Sequence, residues 1–214
     1  LDQKKSGNEI TSVVHFAGLK SIPESIHSPL CYWDSNIVST LSLLKTMEKF
    51  KCYSIIFSSS ASVYKINSTN LLKEGDLLEP STPYGKTKLT IEKILEDIYL
   101  SNKKNWKIAN LRYFNPAGAH ESGLLEEKTK GDFSNLFPAI NKVLKKEKEK
   151  LLIFGNDWPT KDGTCIRDYI HVMDLAEGHV LSLEYLFKNN PQFLNLNLGT
   201  GKGTSVLELI NIFK

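Results

Sequence analysis

Tyr53-Ser54-Ile55-Ile56-Phe57-Ser58-Ser59-Ser60 is a β-type run that stops abruptly in three serines. β-Branched and aromatic residues suit an extended chain, and an apolar centre without alternation is how a strand covered on both faces reads. Such strands belong to parallel sheets wrapped by helices. The flanking sequence agrees. Upstream, from about Pro29 to Phe50, apolar residues recur at helical spacing as Ile37, Leu41, Leu44 and Met47. Downstream, a polar loop with Asn67, Ser68, Asn70 and Gly75 leads into Tyr84 to Leu100, where Leu89, Ile91, Ile94, Leu95 and Ile98 keep a helical period.

Further out, the alternation continues. Ser12 to Phe16 is a short β-rich run ending at Ala17-Gly18, and Lys107 to Leu111 is another, followed by the loop Phe114-Asn115-Pro116-Ala117-Gly118. Asn135 to Lys148 reads as a helix, Leu151 to Phe154 as a strand, Asp174 to Phe187 as a helix and Phe193 to Leu198 as a strand. Strands alternating with helices of ten or more residues predict βαβ units and a parallel sheet. The fold class is therefore α/β. In such sheets, ligands sit beyond the carboxyl ends of the strands. That rule selects Ala17-Gly18, Ser58-Ser59-Ser60, Phe114-Asn115, the turn after Phe154, and Gly199-Thr200-Gly201.

Bulk composition narrows the function classes. The 214 residues are 41% hydrophobic and 24% charged, enough for a real core and close to the globular average. A net charge of +3 gives no reason to expect nucleic acid or an anionic membrane. Cys31, Cys52 and Cys165 form no CxxC pair and no zinc spacing, which suits reduced thiols in a cytoplasmic protein. No apolar run approaches the roughly 20 residues of a membrane span.

Two features can do chemistry. Tyr84 and Lys88 lie one helical turn apart, on one face. A free phenol has a pKa of about 10, and a neighbouring ammonium favours its ionised form. That pair can act as a general base. Ser60 ends a buried strand, where its hydroxyl can hold a substrate hydroxyl and share its proton. Taken alone, a Tyr and a Lys one turn apart are also an ordinary surface pair, and three serines an ordinary strand end.

Taken together with their surroundings, these residues resemble the extended short-chain dehydrogenase/reductase family and, within it, the UDP-glucose 4-epimerases. The resemblance is carried by His15-Phe16-Ala17-Gly18-Leu19-Lys20, Phe57 to Tyr64, Pro83 to Lys88, Leu111 to His120, Ile153 to Asp157 and Asp162 to Ala176, in that order. It implies an incomplete Rossmann-like parallel sheet over residues 1–115 that binds NAD. It also implies part of a smaller α/β substrate domain over 116–214. Ser60, Tyr84 and Lys88 are then the catalytic set. Phe16, Ala17, Gly18, Leu19, Lys20, Asn36 and Phe114 lie along the NAD together with that set. Asn115, Asn135, Leu136, Leu152, Ile153, Phe154 and Arg167 face a UDP-sugar with Ser60 and Tyr84. The implied reaction interconverts UDP-glucose and UDP-galactose by oxidation and re-reduction at C4, in a homodimer.

Alternatives remain in view. Dehydratases of the same family carry an acidic pair after the catalytic hydroxyl, but here Ala61 and Ser62 follow Ser60. A non-catalytic protein on the same fold would be marked by a damaged Ser/Tyr/Lys set, and all three are present. Arg167 suits a diphosphate as a planar fork, and equally an ion pair with Asp168. Gly199-Thr200-Gly201-Lys202-Gly203-Thr204 has the look of a phosphate loop, but Gly203 follows Lys202 where Ser or Thr is needed. His171, Asp174 and His179 read as packing and capping residues rather than metal ligands. The glycine-rich phosphate turn of the family is expected before Leu1, and no C-cap signal ends Ile210 to Lys214. The chain therefore reads as a fragment, expected by itself neither to epimerise sugars nor to hold NAD tightly. It is also expected to expose the strand edges of Ser12 to Phe16 and Tyr53 to Phe57.

Overall fold

The computed structural model describes residues 7, 9–65, 71–125 and 135–213. Its elements in chain order are β1 (Val13–His15), α1 (Ile22–His27), α2 (Pro29–Trp33), a π turn (Asp34–Val38), α3 (Ser39–Lys49), β2 (Ser54–Ser60) and a 3-10 turn (Ala61–Val63). There follow α4 (Pro83–Ser101), β3 (Lys107–Tyr113), β4 (Asn115–Ala117), α5 (Leu136–Leu144) and β5 (Ile166–His171). The chain closes with α6 (Val172–Lys188), β6 (Phe193–Leu198), β7 (Gly203–Ser205) and α7 (Val206–Ile212). These form two compact units. One takes the chain up to residue 65 with Leu72–Tyr113 and Gly178–Asn197, and the other takes Phe114–Glu177 and the chain from Leu198. Residues 178–197 fall in the first unit.

The sheet of the first unit has the order β1-β2-β3-β6. β1 and β2 are parallel in the register Val14↔Ile56, and β2 and β3 are parallel from Ser54↔Lys107 to Ser60↔Tyr113. The N–H of Ile108 donates to Gln192 and that of Phe114 to Leu198, so β3 and β6 advance in step, the parallel sense. The expected open edge at Tyr53 to Phe57 is overturned: β2 is paired on both sides, and β1 and β6 are the outer strands. Both inner strands also run past their apolar centres. Pairing carries β2 through the three serines and β3 through Arg112 and Tyr113.

Helix and sheet meet over Phe57, Ile91, Leu95, Trp106 and Ile108, all fully buried or nearly so. Each such side chain contributes about 1.5–3 kcal/mol by leaving water. The start of α4 is set locally. Thr82 accepts a hydrogen bond from Gly85 N at 3.2 Å, and Pro83 occupies the first turn, where its missing N–H costs nothing. Gly85 is needed for proximity: a Cβ there would stand 2.5 Å from the Ser62 carbonyl oxygen. The first turn of α4 can therefore press onto the turn that follows β2.

The stretch predicted as one helix from Pro29 to Phe50 contains the π turn at its centre. Tyr32, Asn36, Thr40 and Leu44 are all buried and recur every fourth residue. In an α-helix of 3.6 residues per turn, each step of four overshoots by about 40°. The wider turn undershoots and brings the stripe back onto one face. Apolar periodicity cannot reveal this, because Asn36 and Thr40 are polar.

In the second unit, β4 and β5 are parallel and β5 and β7 antiparallel. The strand expected at Leu151 to Phe154 is absent. That backbone is irregular and its Leu152, Ile153 and Phe154 side chains are exposed, so the apolar run has no sheet to join. Helix α7 opens with a capping box between Ser205 and Glu208, and Asp162 accepts from Thr164 N, Thr164 Oγ1 and Ser205 Oγ. Of the expected polar loop, Asn67, Ser68 and Asn70 lie outside the described residues. No helix among the described residues is long and apolar enough to cross a membrane.

Candidate active site

Ser60 ends β2, and Tyr84 and Lys88 occupy the first two turns of α4, so three predicted residues meet in the first unit. The Ser60 hydroxyl accepts from Ser62 N at 3.2 Å and shares a 2.7 Å hydrogen bond with Ser62 Oγ, and it faces the Tyr84 phenol closely enough to oppose the rise of its pKa. Lys88 Nζ donates to the Ser58 carbonyl at 2.7 Å. It lies 4.8 Å from the centre of the Phe57 ring and 5.8 Å from that of Tyr84. An ammonium has three donors, so Lys88 keeps protons to offer beyond Ser58.

Burial dominates the electrostatics. It lowers the Lys88 pKa to about 8. It also raises the Tyr84 phenol, against the opposing bond from Ser60. The expected lowering of Tyr84 by the neighbouring ammonium is corrected: burial is the largest influence and raises the phenol, and the opposing influence comes from Ser60. At neutral pH, Tyr84 is protonated and its partner ammonium is charged. His15, whose Nε2 lies 2.8 Å from Thr40 Oγ1, is pushed down by burial and then by the Lys88 charge.

The expected cofactor loop leaves β1 directly beside this set. A Cβ on Gly18 would be 3.1 Å from Asn36 Oδ1 and 3.9 Å from Lys88 Nζ, so only a bare backbone lies so close. Buried Asn36 takes Leu19 N at 2.7 Å and donates to Leu19 O at 3.2 Å and Thr87 Oγ1 at 3.1 Å. Asn36 thus fixes the loop to α4. Phe16 is exposed, its ring 4.8 Å from that of His179. Phe16 to Lys20, with a spare Lys88 proton below, fit a flat, polar cofactor lying across the strand ends.

The other predicted residues belong to the second unit. Phe114 and Asn115 stand at the start of β4, and Asn115 is paired with Tyr169 on β5. Arg167 is exposed on β5, and its Nη1 donates to its neighbour's carbonyl, Ile166 O, at 3.1 Å. The alternative of an Arg167–Asp168 pair is not what forms. Asp168 instead accepts from Thr200 N at 2.9 Å, Thr200 Oγ1 at 2.6 Å and Gly201 N at 2.8 Å. The phosphate-loop lookalike is therefore an anion nest filled by the chain's own carboxylate. Gly199 makes it fit, since a Cβ there would meet Asp168 Oδ2 at 2.6 Å and the Phe114 ring at 2.9 Å. Asn135 occupies the N-cap position of α5, which begins at Leu136, without a side-chain capping bond, and the Phe137–Tyr169 ring contact at 5.5 Å ties that helix to β5. Leu152, Ile153 and Phe154 sit on exposed irregular backbone, not at a strand end.

One residue, Tyr113, escaped the sequence reading. Tyr113 bonds His179 Nε2 and the Ser58 side chain, and burial, opposed by the Ser58 bond, raises its phenol pKa further in the company of Tyr84. It stands at the true end of β3, where the strand-end rule would have selected it had the strand not been stopped at Leu111. His171 accepts from Met173 N at 3.2 Å, a capping role as expected. Among the described residues, no group of three His, Cys, Asp or Glu converges as a metal site.

Comparison with known proteins matches residues 1–199 to the family described as NAD dependent epimerase/dehydratase. The chain is 49% identical over its whole length to UDP-glucose 4-epimerase 4 of Oryza sativa subsp. japonica, covering 58% of that protein. It is 47% identical to UDP-glucose 4-epimerase of Bacillus subtilis (strain 168), covering 62% of it. Among solved structures, UDP-glucose 4-epimerase from Bifidobacterium longum in complex with NAD+ and UDP superposes with TM-score 0.91 at 45% identity, over 99% of this chain and 63% of that one. UDP-glucose-4-epimerase from Stenotrophomonas maltophila with bound NAD and formylated UDP-arabinopyranose gives 0.90 at 46% identity, over 95% and 60%.

Proposed function

The chain belongs to the NAD dependent epimerase/dehydratase family, and from that premise we propose that it is the catalytic portion of a UDP-glucose 4-epimerase. The proposed reaction interconverts UDP-glucose and UDP-galactose, a step of galactose metabolism, with NAD as cofactor. The observation that carries the reading is the convergence of Ser60, at the end of β2, with Tyr84 and Lys88 on α4, the Lys88 ammonium donating to Ser58 O and lying 5.8 Å from the centre of the Tyr84 ring. NAD, when bound, supplies the hydride acceptor and donor for C4.

The chain's own groups do the rest. Once its own proton has passed to solvent, the Tyr84 phenolate takes the proton from the C4 hydroxyl and later returns it, and Ser60 holds that hydroxyl in line. Lys88 stabilises the phenolate and offers its remaining protons to the cofactor. Phe16, Ala17, Gly18, Leu19 and Lys20 form the cofactor-facing loop, with Asn36 fixing it and Phe114 packing at the reactive end. Asn115, Asn135, Leu136, Leu152, Ile153, Phe154 and Arg167 are proposed to face the nucleotide sugar. Residues 1–115 are thereby the cofactor part and 116–214 the substrate part. Ala61 and Ser62 after Ser60 disfavour dehydration, because neither can supply the acid or base for losing water. A cytoplasmic homodimer is the proposed setting.

The chain spans about 60% of the length of the relatives it matches, so the test uses the full-length protein. Supplied with NAD and UDP-galactose, it should form UDP-glucose; no conversion would overturn the reading. Arg167→Lys keeps the charge but loses the planar fork. By calorimetric titration, UDP should bind at least about tenfold more weakly, the worth of one lost charged hydrogen bond. Unchanged affinity would remove Arg167 from the site.

A further inference from the structure

We propose that Glu92 is a positioning residue for proton transfer by Tyr84, acting through Ser59 and Arg112 to hold α4 in register with the ends of β2 and β3. The proposal rests on the epimerase reading above. Tyr84, Lys88 and Glu92 form a single stripe on α4, each one turn from the next. All three face the sheet, but only Tyr84 and Lys88 have been given work. Glu92 is buried and accepts three hydrogen bonds: from Ser59 Oγ at 2.5 Å, Arg112 Nε at 3.0 Å and Arg112 Nη2 at 2.7 Å.

Those two partners are not arbitrary. Ser59 and Arg112 are directly opposite each other in the β2–β3 register. The next pair along the same register is Ser60↔Tyr113, at the site itself. One carboxylate on the helix therefore grips both strands one residue before each delivers its functional side chain. One residue further on, Ser60 and Tyr113 end their strands, with Ser60 facing Tyr84 in the first turn of α4. The grip is braced from behind. Arg112 Nη1 donates to Tyr64 Oη at 2.9 Å and to the Glu74 carbonyl at 3.0 Å, and Tyr64 Oη donates to Asn197 Oδ1 at 2.6 Å.

A packed apolar contact would hold helix to sheet equally firmly but would tolerate sliding. A fork between a guanidinium and a carboxylate fixes direction and distance together. The reacting hydroxyl, Tyr84 and Ser60 must stay aligned to a fraction of an ångström, and misplacement of about 1 Å costs about 10²-fold. Ile91 and Leu95 of α4 share a core with Phe57 and Ile108, but apolar packing lacks the direction of a charged fork.

The test separates positioning from mere support. Ser59→Ala removes one hydroxyl and leaves the Glu92–Arg112 pair intact. In the full-length protein, kcat on UDP-galactose should fall about tenfold while KM stays within about twofold. A looser Ser60–Tyr84–Lys88 set makes the phenol harder to ionise, so the acid limb of the kcat–pH profile should move to higher pH. The thermal midpoint should drop by only about 2–4 °C, as for one lost hydrogen bond. If kcat stays within about twofold and the acid limb does not move, the cluster is support only and the proposal fails. Should Ser59→Ala not fold, Glu92→Gln, which keeps the shape and an acceptor oxygen, is read by the same two measures. A wild-type protein inactive on UDP-galactose sinks the epimerase reading and this proposal with it; an active one with unmoved variants sinks this proposal alone.

Discussion

Tyr84→Phe should lower turnover of UDP-galactose by about 10²–10⁴-fold, the range for losing a general base, while leaving the fold intact. The ring stays and keeps its contacts in the first turn of α4; only the hydroxyl facing Ser60 goes. Steady-state kinetics on the full-length protein checks this, and near-wild-type turnover would take Tyr84 out of the chemistry. Lys88 gives a contrasting signature. Its ammonium is disfavoured by burial, with a pKa lowered to about 8. Rising pH therefore discharges it near 8, and the alkaline limb of kcat should fall there. Lys88→Met removes a charge the interior already resists, so activity should drop sharply without loss of stability.

Glu92→Ala is the expected stability outlier. The pair is almost fully buried, with Arg112 1% and Glu92 4% exposed, so solvent does not screen its loss. Removing the carboxylate leaves the guanidinium uncompensated and should cost about 3–5 kcal/mol. Against a typical total of about 5–15 kcal/mol, that is a large share. Urea denaturation of the two proteins measures it, and a difference below about 1 kcal/mol would mean that Arg112 finds other partners without strain. Replacing both residues at once, Glu92→Leu with Arg112→Met, should recover most of the loss, since an apolar pair of similar volume leaves no charge stranded.

The sheet and its helices were legible because burial writes itself into periodicity. Ile55 and Phe57 of the strand and the Ile91, Ile94, Leu95 and Ile98 spacing of the helix both report contact with one core. The proposed catalytic positions read as motifs, since Ser60, Tyr84 and Lys88 fall at a strand end and a helix start. What depended on register was not legible. Glu92 reads as a routine charged helix position, and only pairing Ser59 with Arg112 reveals why it is buried. Tyr113 was missed because polar residues disguised the last two positions of β3. Leu151 to Phe154 failed in the opposite way. Its apolar side chains mimic a strand, yet sheet membership needs a neighbour with free hydrogen-bonding groups, and composition does not say whether one exists. Ile166 to His171 carries charges on both faces and hides a strand that β4 and β7 create by pairing.

The π turn at Asp34–Val38 makes the stretch from Pro29 to Lys49 a counted length. Losing one codon between Ser39 and Leu43, with the wide turn kept, would rotate everything before the loss by about 100° relative to everything after. Leu44 and Met47 would keep their places in the core while Tyr32 and Asn36 swung away from theirs. The damage would surface far from the deletion, in the Ala17–Lys20 loop that Asn36 fastens. Substitutions here can be mild, but insertions and deletions cannot, so descendants of this sequence are free to drift in letters and bound to agree in number.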